Sequence, residues 1–323
     1  MNNLVAITIG DINGVGIHIL INAWKRKKIN NFILICNIKI FKNFLKRNNY
    51  KLQLNVIEGN LKKENLNRNK LNIYSFNCFS LEDNTYKSLK HSYDMCVNKI
   101  CIGLINLPIR KDLIISKINK NFIGQTEFYQ KINKKKYSNM ILYHNKIKIS
   151  PLTTHIKVKS IPKNISKKLI INQIINLFNT LKIDFNISSP KLIISGLNPH
   201  AGENGKLGNE EREIIIPSIV KLKKMGINVD GPKSADSMLI QKNLRKYDCF
   251  VFIFHDQALI PFKYISQFSG VNYTGNLDII RTSPDHGTAY NLIGSKEISD
   301  KSLINCYKLI KKINHNRIIN DES

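Results

Sequence analysis

Three histidines stand just beyond apolar, strand-like runs, each in a turn-rich segment. They are His155, His200 and His255. In open α/β sheets, ligands bind outside the carboxyl ends of the strands. Three imidazoles at such an edge have the chemistry to hold a divalent metal ion and to leave positions open for a substrate. Their spacing matches no local zinc module, so an ordinary hydrogen-bonded loop histidine stays the alternative for each one.

A second group of polar residues follows the apolar run 249–254. Lys263, Asn272 and Arg281 each lie in a segment marked by Gly or Pro. Two cations and an amide can together hold a phosphate or a carboxylate, whereas either cation alone also fits a solvated surface. The polar turn 124–128 (Gly-Gln-Thr-Glu-Phe) leads into a helical pattern, and exposed amides at a helix start also suit an anion.

The glycine-rich turn 10–16 (Gly-Asp-Ile-Asn-Gly-Val-Gly) also follows a strand and opens a helix. It is not G-x-G-x-x-G, so it gives no support to a Rossmann dinucleotide site. A purely structural glycine turn is the alternative to a ligand-binding one.

These residues require a scaffold of alternating strands and helices. Apolar runs predict strands at 4–9, 32–40, 101–107, 191–196 and 249–254, and helical periodicity covers about 15–27, 81–98, 166–182 and 298–315. This alternation predicts parallel α/β layers. We expect a first α/β domain of residues 1–124 plus 300–323. We expect a second domain of residues 125–299 to carry most of the metal and substrate residues.

The charge of the chain invites a nucleic-acid interpretation. Fifty Lys and Arg against 23 Asp and Glu give a net charge of +27. A nucleic-acid binder usually concentrates its charge on one face or tail. Here the lysines are scattered among abundant Asn and Ile, residues that codons of A and T alone can encode. A mutational bias toward A and T therefore explains the charge, and we predict no nucleic-acid partner.

The apolar runs, the first residues and the cysteines indicate where in the cell the protein is located. No apolar run approaches the roughly 20 residues of a membrane span, and the first residues lack the pattern of a secretory signal. None of the six cysteines forms a C-x-x-C pair. We therefore expect buried free thiols, a cytoplasmic location and no membrane partner.

Long motifs carry a family resemblance. The sequence resembles the 4-hydroxythreonine-4-phosphate dehydrogenase family of vitamin B6 biosynthesis. The matching segments, in family order, are Gly10-Asp11 with Gly14-Val15-Gly16, Pro108-Ile109-Arg110-Lys111, Gly124 to Phe128, Thr153-Thr154-His155, Gly196 to Glu203, Gly231-Pro232 with Ala235-Asp236, His255-Asp256-Gln257, Gly270-Val271-Asn272, and Ile280 to Ser283 with Asp285 to Thr288. The region 40–100 matches only weakly.

The resemblance implies two α/β/α domains with an interdomain cleft, in an isocitrate/isopropylmalate dehydrogenase-like fold. It implies a homodimer with the active site shared between subunits. In the family three histidines hold a divalent metal (Zn, Mg or Co), and they match His155, His200 and His255, the last donated by the other subunit. The implied redox cofactor is NAD or NADP.

The family's substrate contacts match Thr126, Lys263, Asn272 and Arg281. The family's histidine before that threonine is Gln125 here, which donates a hydrogen bond but carries no charge. The first motif of the family also usually has Pro where Ile9 and Ile12 stand, and Glu where His18 stands. These departures affect the expected role of the N-terminal loop.

The implied activity is oxidation of 4-phosphohydroxy-L-threonine and decarboxylation to 3-amino-2-oxopropyl phosphate. Metal-assisted loss of the hydroxyl proton and hydride transfer to the nicotinamide form the mechanistic hypothesis. We expect Asp256 and Asp236 to act in proton transfer or ligand orientation and Lys111 to shape the electrostatics.

Three alternatives stay open. One is a sister dehydrogenase for a phosphorylated four-carbon sugar acid, erythronate or threonate 4-phosphate, which would use the same residues. A second is a basic nucleic-acid-binding protein, which would bind with a steep salt dependence. A third is an inactive relative retained for binding.

Overall fold

The structure is a computed structural model that describes residues 3–61, 65–295 and 297–322. The chain forms two compact units. One comprises the chain up to Lys134 together with Leu277–Asn314, and the other comprises Lys135–Asn276 together with the chain from His315 onward. Each unit contains a sheet and helices, so the predicted α/β class is confirmed.

The first unit contains a parallel sheet of six strands among its described residues. They are β1 Val5–Thr8, β2 Phe32–Ile35, β3 Leu54–Glu58, β4 Leu71–Ser75, β5 Gly103–Asn106 and β12 Arg281–Pro284, in the order β3-β4-β2-β1-β5-β12. Its helices are α1 Val15–Lys25, α2 Ile38–Arg47, α3 Leu81–Val97, α4 Lys111–Lys117 and α5 Gln125–Ile132.

The second unit has a mixed sheet. Its described strands are β6 Asn139–His144, β7 Ile147–Pro151, β8 Leu192–Ser195, β9 Val229–Lys233, β10 Cys249–Phe252 and β11 Val271–Gly275, in the order β11-β6-β7-β10-β8-β9. The β11–β6 and β6–β7 pairs are antiparallel, and the other pairs are parallel. Its helices are α6 Ile161–Asn164, α7 Lys167–Ile183, α8 Ile216–Lys224, α9 Gln241–Lys246 and α10 His255–Ser266, and the last helix, α11 Lys301–Glu322, belongs to both units.

Buried strands explain why these sheets form. Every residue of β1, β2, β5, β8 and β10 is buried, as expected for parallel strands covered on both faces. Long-range hydrogen bonds then fix the ends of the helices. Asp184 beyond α7, for example, accepts a 2.6 Å hydrogen bond from Nε of Arg317 on α11.

The boundaries of the units differ from the expected division. Residues 125–134 and 277–299 lie in the first unit, whereas we expected them in the second domain. The chain from His315 onward lies in the second unit, whereas we expected it in the first domain. Two contacts explain the first of these differences. Arg281 of β12 pairs with Leu104 of β5, and the backbone N–H of Asp278 donates a 2.7 Å hydrogen bond to Oδ1 of Asn133.

The observed elements differ from the predicted ones in two places. The expected strand 32–40 ends at Ile35, because the Asn37 side chain accepts hydrogen bonds from Lys39 N (3.0 Å) and Ile40 N (3.2 Å) and caps helix α2. Strands β3 and β4, which pair in parallel over five residues, lie where the apolar runs predict no strand.

All six cysteines are free thiols, and five of them are buried, as expected. Within the described ranges, no helix combines the length and the apolar character that crossing a membrane requires.

Candidate active site

Two of the three predicted histidines lie side by side in the second unit. Strands β7 and β10 are parallel neighbours, with Phe252 opposite Pro151. The chain continues alongside, since Thr153 N donates to Ile253 O at 3.1 Å. His155 and His255 follow at this sheet edge, and their ring centroids lie 5.8 Å apart. The structure therefore places two of the three histidines side by side at this edge.

The histidine pair opens onto a cavity of about 180 Å³. The cavity is lined by Thr154, His155, Ile156, Val158, Ile161, Phe254, His255 and Asp256. Nδ1 of His255 and Oδ1 of Asp256 lie 2.7 Å apart. When Nδ1 donates its proton to this carboxylate, Nε2 carries the free lone pair that a metal requires. The donor set therefore fits a divalent ion that prefers nitrogen ligands.

His200 is placed differently. It follows strand β8, which is the other parallel neighbour of β10, and its side chain is exposed in a left-handed segment. In the part of the chain that the structure describes, no group of three or more His, Cys, Asp or Glu side chains could hold a metal ion. A single chain thus brings together two of the three predicted metal ligands, and the participation of His200 stays a prediction.

Arg281 organises a second group of predicted residues, in the first unit. Its side chain is only 1% exposed. Nε donates to Oδ1 of Asn106 at 2.7 Å, one terminal nitrogen donates to Oγ1 of Thr126 at 3.2 Å, and the other donates to Oε1 of Gln125 at 3.3 Å. Burial lowers the pKa of Arg281 to about 10, so the guanidinium still carries its charge at neutral pH. The structure therefore unites Gln125, Thr126 and Arg281.

Lys111 lies beside the same turn. Gly124 caps helix α5, and a Cβ added to Gly124 would lie 3.2 Å from Nζ of Lys111 and 2.7 Å from Oε2 of Glu127. Because Gly124 has no side chain, the ammonium of Lys111 and the carboxylate of Glu127 can lie close to the backbone that precedes Gln125.

The remaining predicted residues lie in the second unit. Lys263 is on α10, two turns beyond His255, and its ammonium stacks on the Phe268 ring at 4.8 Å. Oδ1 of Asn272 on β11 is buried and has no hydrogen-bond partner within residues 3–61, 65–295 and 297–322. An unsatisfied buried acceptor is costly unless a ligand completes it. Asp236 is exposed and accepts a 2.7 Å hydrogen bond from Oγ of Ser234.

Sequence reasoning missed two residues of these groups. Asn106 ends the buried strand β5 and accepts the Arg281 hydrogen bond, and its position at a strand end was the available signal. Glu211, in the helical segment after Gly208, is only 2% exposed. It accepts backbone hydrogen bonds from Leu197 and Asn198, both at 2.8 Å. The available signal was a pair of adjacent glutamates, Glu210 and Glu211, because a helix points neighbouring side chains in different directions and can bury one of them.

The chain is similar to known proteins over most of its length. The family model described as pyridoxal phosphate biosynthetic protein PdxA matches residues 28–310. A curated 4-hydroxythreonine-4-phosphate dehydrogenase from Wigglesworthia glossinidia brevipalpis is 35% identical over 309 residues, covering 93% of each chain.

Solved structures show the fold. The crystal structure of a 4-hydroxythreonine-4-phosphate dehydrogenase from Klebsiella pneumoniae aligns with a TM-score of 0.81 at 24% identity, covering 97% of this chain and 98% of the other. A β-decarboxylating dehydrogenase from Thermococcus kodakarensis aligns with a TM-score of 0.50 at 10% identity, covering 95% and 82%. The expected dehydrogenase-like fold is confirmed.

Proposed function

The chain belongs to the family of the pyridoxal phosphate biosynthetic protein PdxA, and we propose on that premise that it oxidises 4-phosphohydroxy-L-threonine with NAD or NADP. The oxidation removes the substrate's hydroxyl proton and transfers a hydride to the nicotinamide. The resulting β-keto acid loses CO2 to give 3-amino-2-oxopropyl phosphate. The observation that carries this proposal is the histidine pair, His155 and His255, beside its cavity at the ends of parallel strands.

His155, His200 and His255 are the proposed metal ligands. Imidazole nitrogens suit Zn and Co, and Mg is the other candidate. A bound divalent ion supplies Lewis acidity that lowers the pKa of the substrate hydroxyl. Asp256 holds the imidazole of His255 in one orientation through the 2.7 Å contact with Nδ1.

Five residues are proposed to bind the substrate. Arg281 and Lys263 provide positive charge for the phosphate and carboxylate, and Thr126 provides a hydroxyl. Gln125 fixes a terminal nitrogen of Arg281. The open acceptor Oδ1 of Asn272 suits a donor group such as the substrate's ammonium.

Three further residues are proposed to handle protons and charge. Asp256 and Asp236 are acceptors for the hydroxyl proton, since each carries a carboxylate that reaches solvent. Lys111 adds positive charge beside Gly124, in the turn that leads to Gln125 and Thr126.

We propose that the enzyme is a homodimer with shared active sites. Support comes from helix α10, which begins at His255 and exposes Ile260 (70%) and Tyr264 (80%) one turn apart, followed by Phe268. Large apolar side chains in one exposed patch are typical of a protein interface. The free, mostly buried cysteines favour a reducing compartment, so we propose a cytoplasmic location.

One assay tests the function. The purified protein is mixed with NAD and 4-phosphohydroxy-L-threonine, and NADH is followed with and without a chelator. We expect the untreated enzyme to form NADH and the chelator-treated enzyme to form none. An untreated enzyme that forms no NADH would overturn the proposal. Parallel reactions with erythronate and threonate 4-phosphate measure the relative kcat/KM, and faster turnover of either sugar acid would reassign the substrate.

A further inference from the structure

The segment that carries His200 has an unusual backbone. Six consecutive residues, 200–205, have positive φ angles between 42° and 93°. Four of them are not glycine: His200, Ala201, Glu203 and Asn204. A side chain in the left-handed region crowds the neighbouring carbonyl oxygen, so consecutive L-residues rarely adopt it. Other contacts must therefore hold this segment in place.

Glu211 provides such contacts. Its buried carboxylate accepts hydrogen bonds at 2.8 Å from the backbone N–H groups of Leu197 and Asn198, and at 3.0 Å from Nδ2 of Asn198. These bonds anchor the residues that precede the left-handed run. Hydrogen bonds to an ionised carboxylate are roughly twice as strong as neutral ones.

The same carboxylate also packs against the middle of the run. A Cβ added to Gly202, whose φ is +83°, would lie 2.6 Å from Oε2 of Glu211. A Cβ added to Gly196 would lie 3.0 Å from Oε1. Glu211 therefore contacts the segment before and after His200, and both oxygens are engaged by donors of the segment.

We propose that Glu211 is a positioning residue, whose carboxylate anchors segment 197–205, including its left-handed run 200–205, and thereby directs the imidazole of His200. The proposal rests on the proposed function, in which His200 is a metal ligand. Glu211 does not act as a ligand itself, because its oxygens already accept three hydrogen bonds in a buried site. The simpler alternative is that Glu211 contributes only to folding.

The first test compares Glu211→Gln with Glu213→Gln, an exposed glutamate in the same turn. The substitution removes the negative charge of the Glu211 carboxylate. It also places the glutamine amide group opposite the side-chain amide of Asn198. Hydrogen exchange of the 197–205 amides should become at least about tenfold faster in Glu211→Gln only. Calorimetric titration with Co²⁺ should show affinity weakened by about 10–100-fold, the usual range for outer-shell changes. The NAD dissociation constant should stay within about twofold of the unmodified protein's.

The second test uses a matched pair of glycines. Gly202 and Gly226 have similar φ angles, +83° and +79°, but a Cβ at Gly226 meets nothing within 4 Å. Gly202→Ala and Gly226→Ala therefore impose the same backbone strain, and only Gly202→Ala displaces the carboxylate. We expect Gly202→Ala alone to weaken Co²⁺ binding at least about tenfold.

The outcomes separate the two proposals. An unmodified protein that binds no Co²⁺ contradicts the metal-dependent function, and the positioning role falls with it. An unmodified protein that binds Co²⁺, with Glu211→Gln and Gly202→Ala binding it equally well, overturns the positioning role alone. Equal losses in Glu211→Gln and Glu213→Gln also overturn it, since the proposal depends on the three hydrogen bonds that Glu211 accepts from the segment.

Discussion

Nε of Arg281 donates a 2.7 Å hydrogen bond to Oδ1 of Asn106, and both side chains are buried. The side chains of Asn106, Gln125 and Thr126 are neutral, and their hydrogen bonds orient the guanidinium. Burial lowers the pKa of Arg281 to about 10, because desolvation disfavours the charged form, while Tyr129 and Glu127 act in the opposite direction. An anionic substrate would stabilise the charged form further.

Replacing Asn106 tests this arrangement. Asn106→Ala leaves a buried Arg281 donor unsatisfied, and we expect the free energy of unfolding to fall by about 1–3 kcal/mol. The guanidinium loses its orientation, so the KM for the phosphorylated substrate should rise at least about tenfold, the usual cost of an outer-shell change. Chemical denaturation and steady-state kinetics measure the two effects. The exposed Asn60→Ala is the control, and an unchanged KM in Asn106→Ala would contradict the role.

The amide of Gln125 does not titrate. We therefore expect anion binding by Gln125, Thr126 and Arg281 to change little with pH near neutrality. Gln125→His introduces a group with an ordinary pKa of about 6.5 next to Arg281. The neighbouring guanidinium lowers the pKa of this imidazole below its ordinary value. The imidazolium adds positive charge as the pH falls, so the KM of this variant should decrease, relative to the unmodified enzyme, only at a pH below about 6.5. Parallel pH profiles of KM for the two enzymes would speak against this effect.

His18 links folding stability to pH. Burial lowers the pKa of His18, and Arg47 adds to the effect. The folded state then binds this proton less tightly than the unfolded chain, whose pKa is 6.5. Stability is therefore present above that pH and is lost as the pH falls through it. Denaturation at several pH values gives the free energy of unfolding as a function of pH. This free energy should fall less steeply with acid for His18→Gln than for the exposed control His315→Gln. Identical slopes for the two variants would refute the role of His18.

The structure places His155 and His255 of one chain 5.8 Å apart, whereas the family resemblance implies that the other subunit donates His255. Mixed dimers decide between these two origins of the ligand. If one site takes His155 and His200 from one subunit and His255 from its partner, a dimer of His155→Ala with His255→Ala keeps one intact site. We expect each variant alone to lose more than about 99% of activity, in line with losing a metal ligand. The mixed dimer should recover up to about half of the unmodified turnover. No recovery would mean that all ligands come from one chain.

Some of the site follows from the sequence and some does not. His155 and His255 could be paired in advance, because parallel neighbours end at one sheet edge. The sequence predicts Arg281 as an anion ligand of the second domain, whereas the structure places it in the first unit, since its partner Asn106 is 175 positions away. The left-handed run at 200–205 has four non-glycine residues, so local preferences argue against it. Contacts with Glu211 override those preferences.

The first unit consists of two separate stretches of the chain, and this fixes the order in which its parts are synthesised. Chains emerge from the ribosome at about 5–20 residues per second, and domains generally fold from the N-terminus onward. Here Lys135–Asn276, the larger part of the second unit, is made before β12, whereas the residues from His315 onward, which complete that unit, are made after it. Each unit therefore stays incomplete until the last part of the chain is made, and the first one lacks the strand that pairs with β5. Arg281 is the last piece to reach its acceptors, and a truncated nascent chain that ends before it would leave Asn106 without its guanidinium.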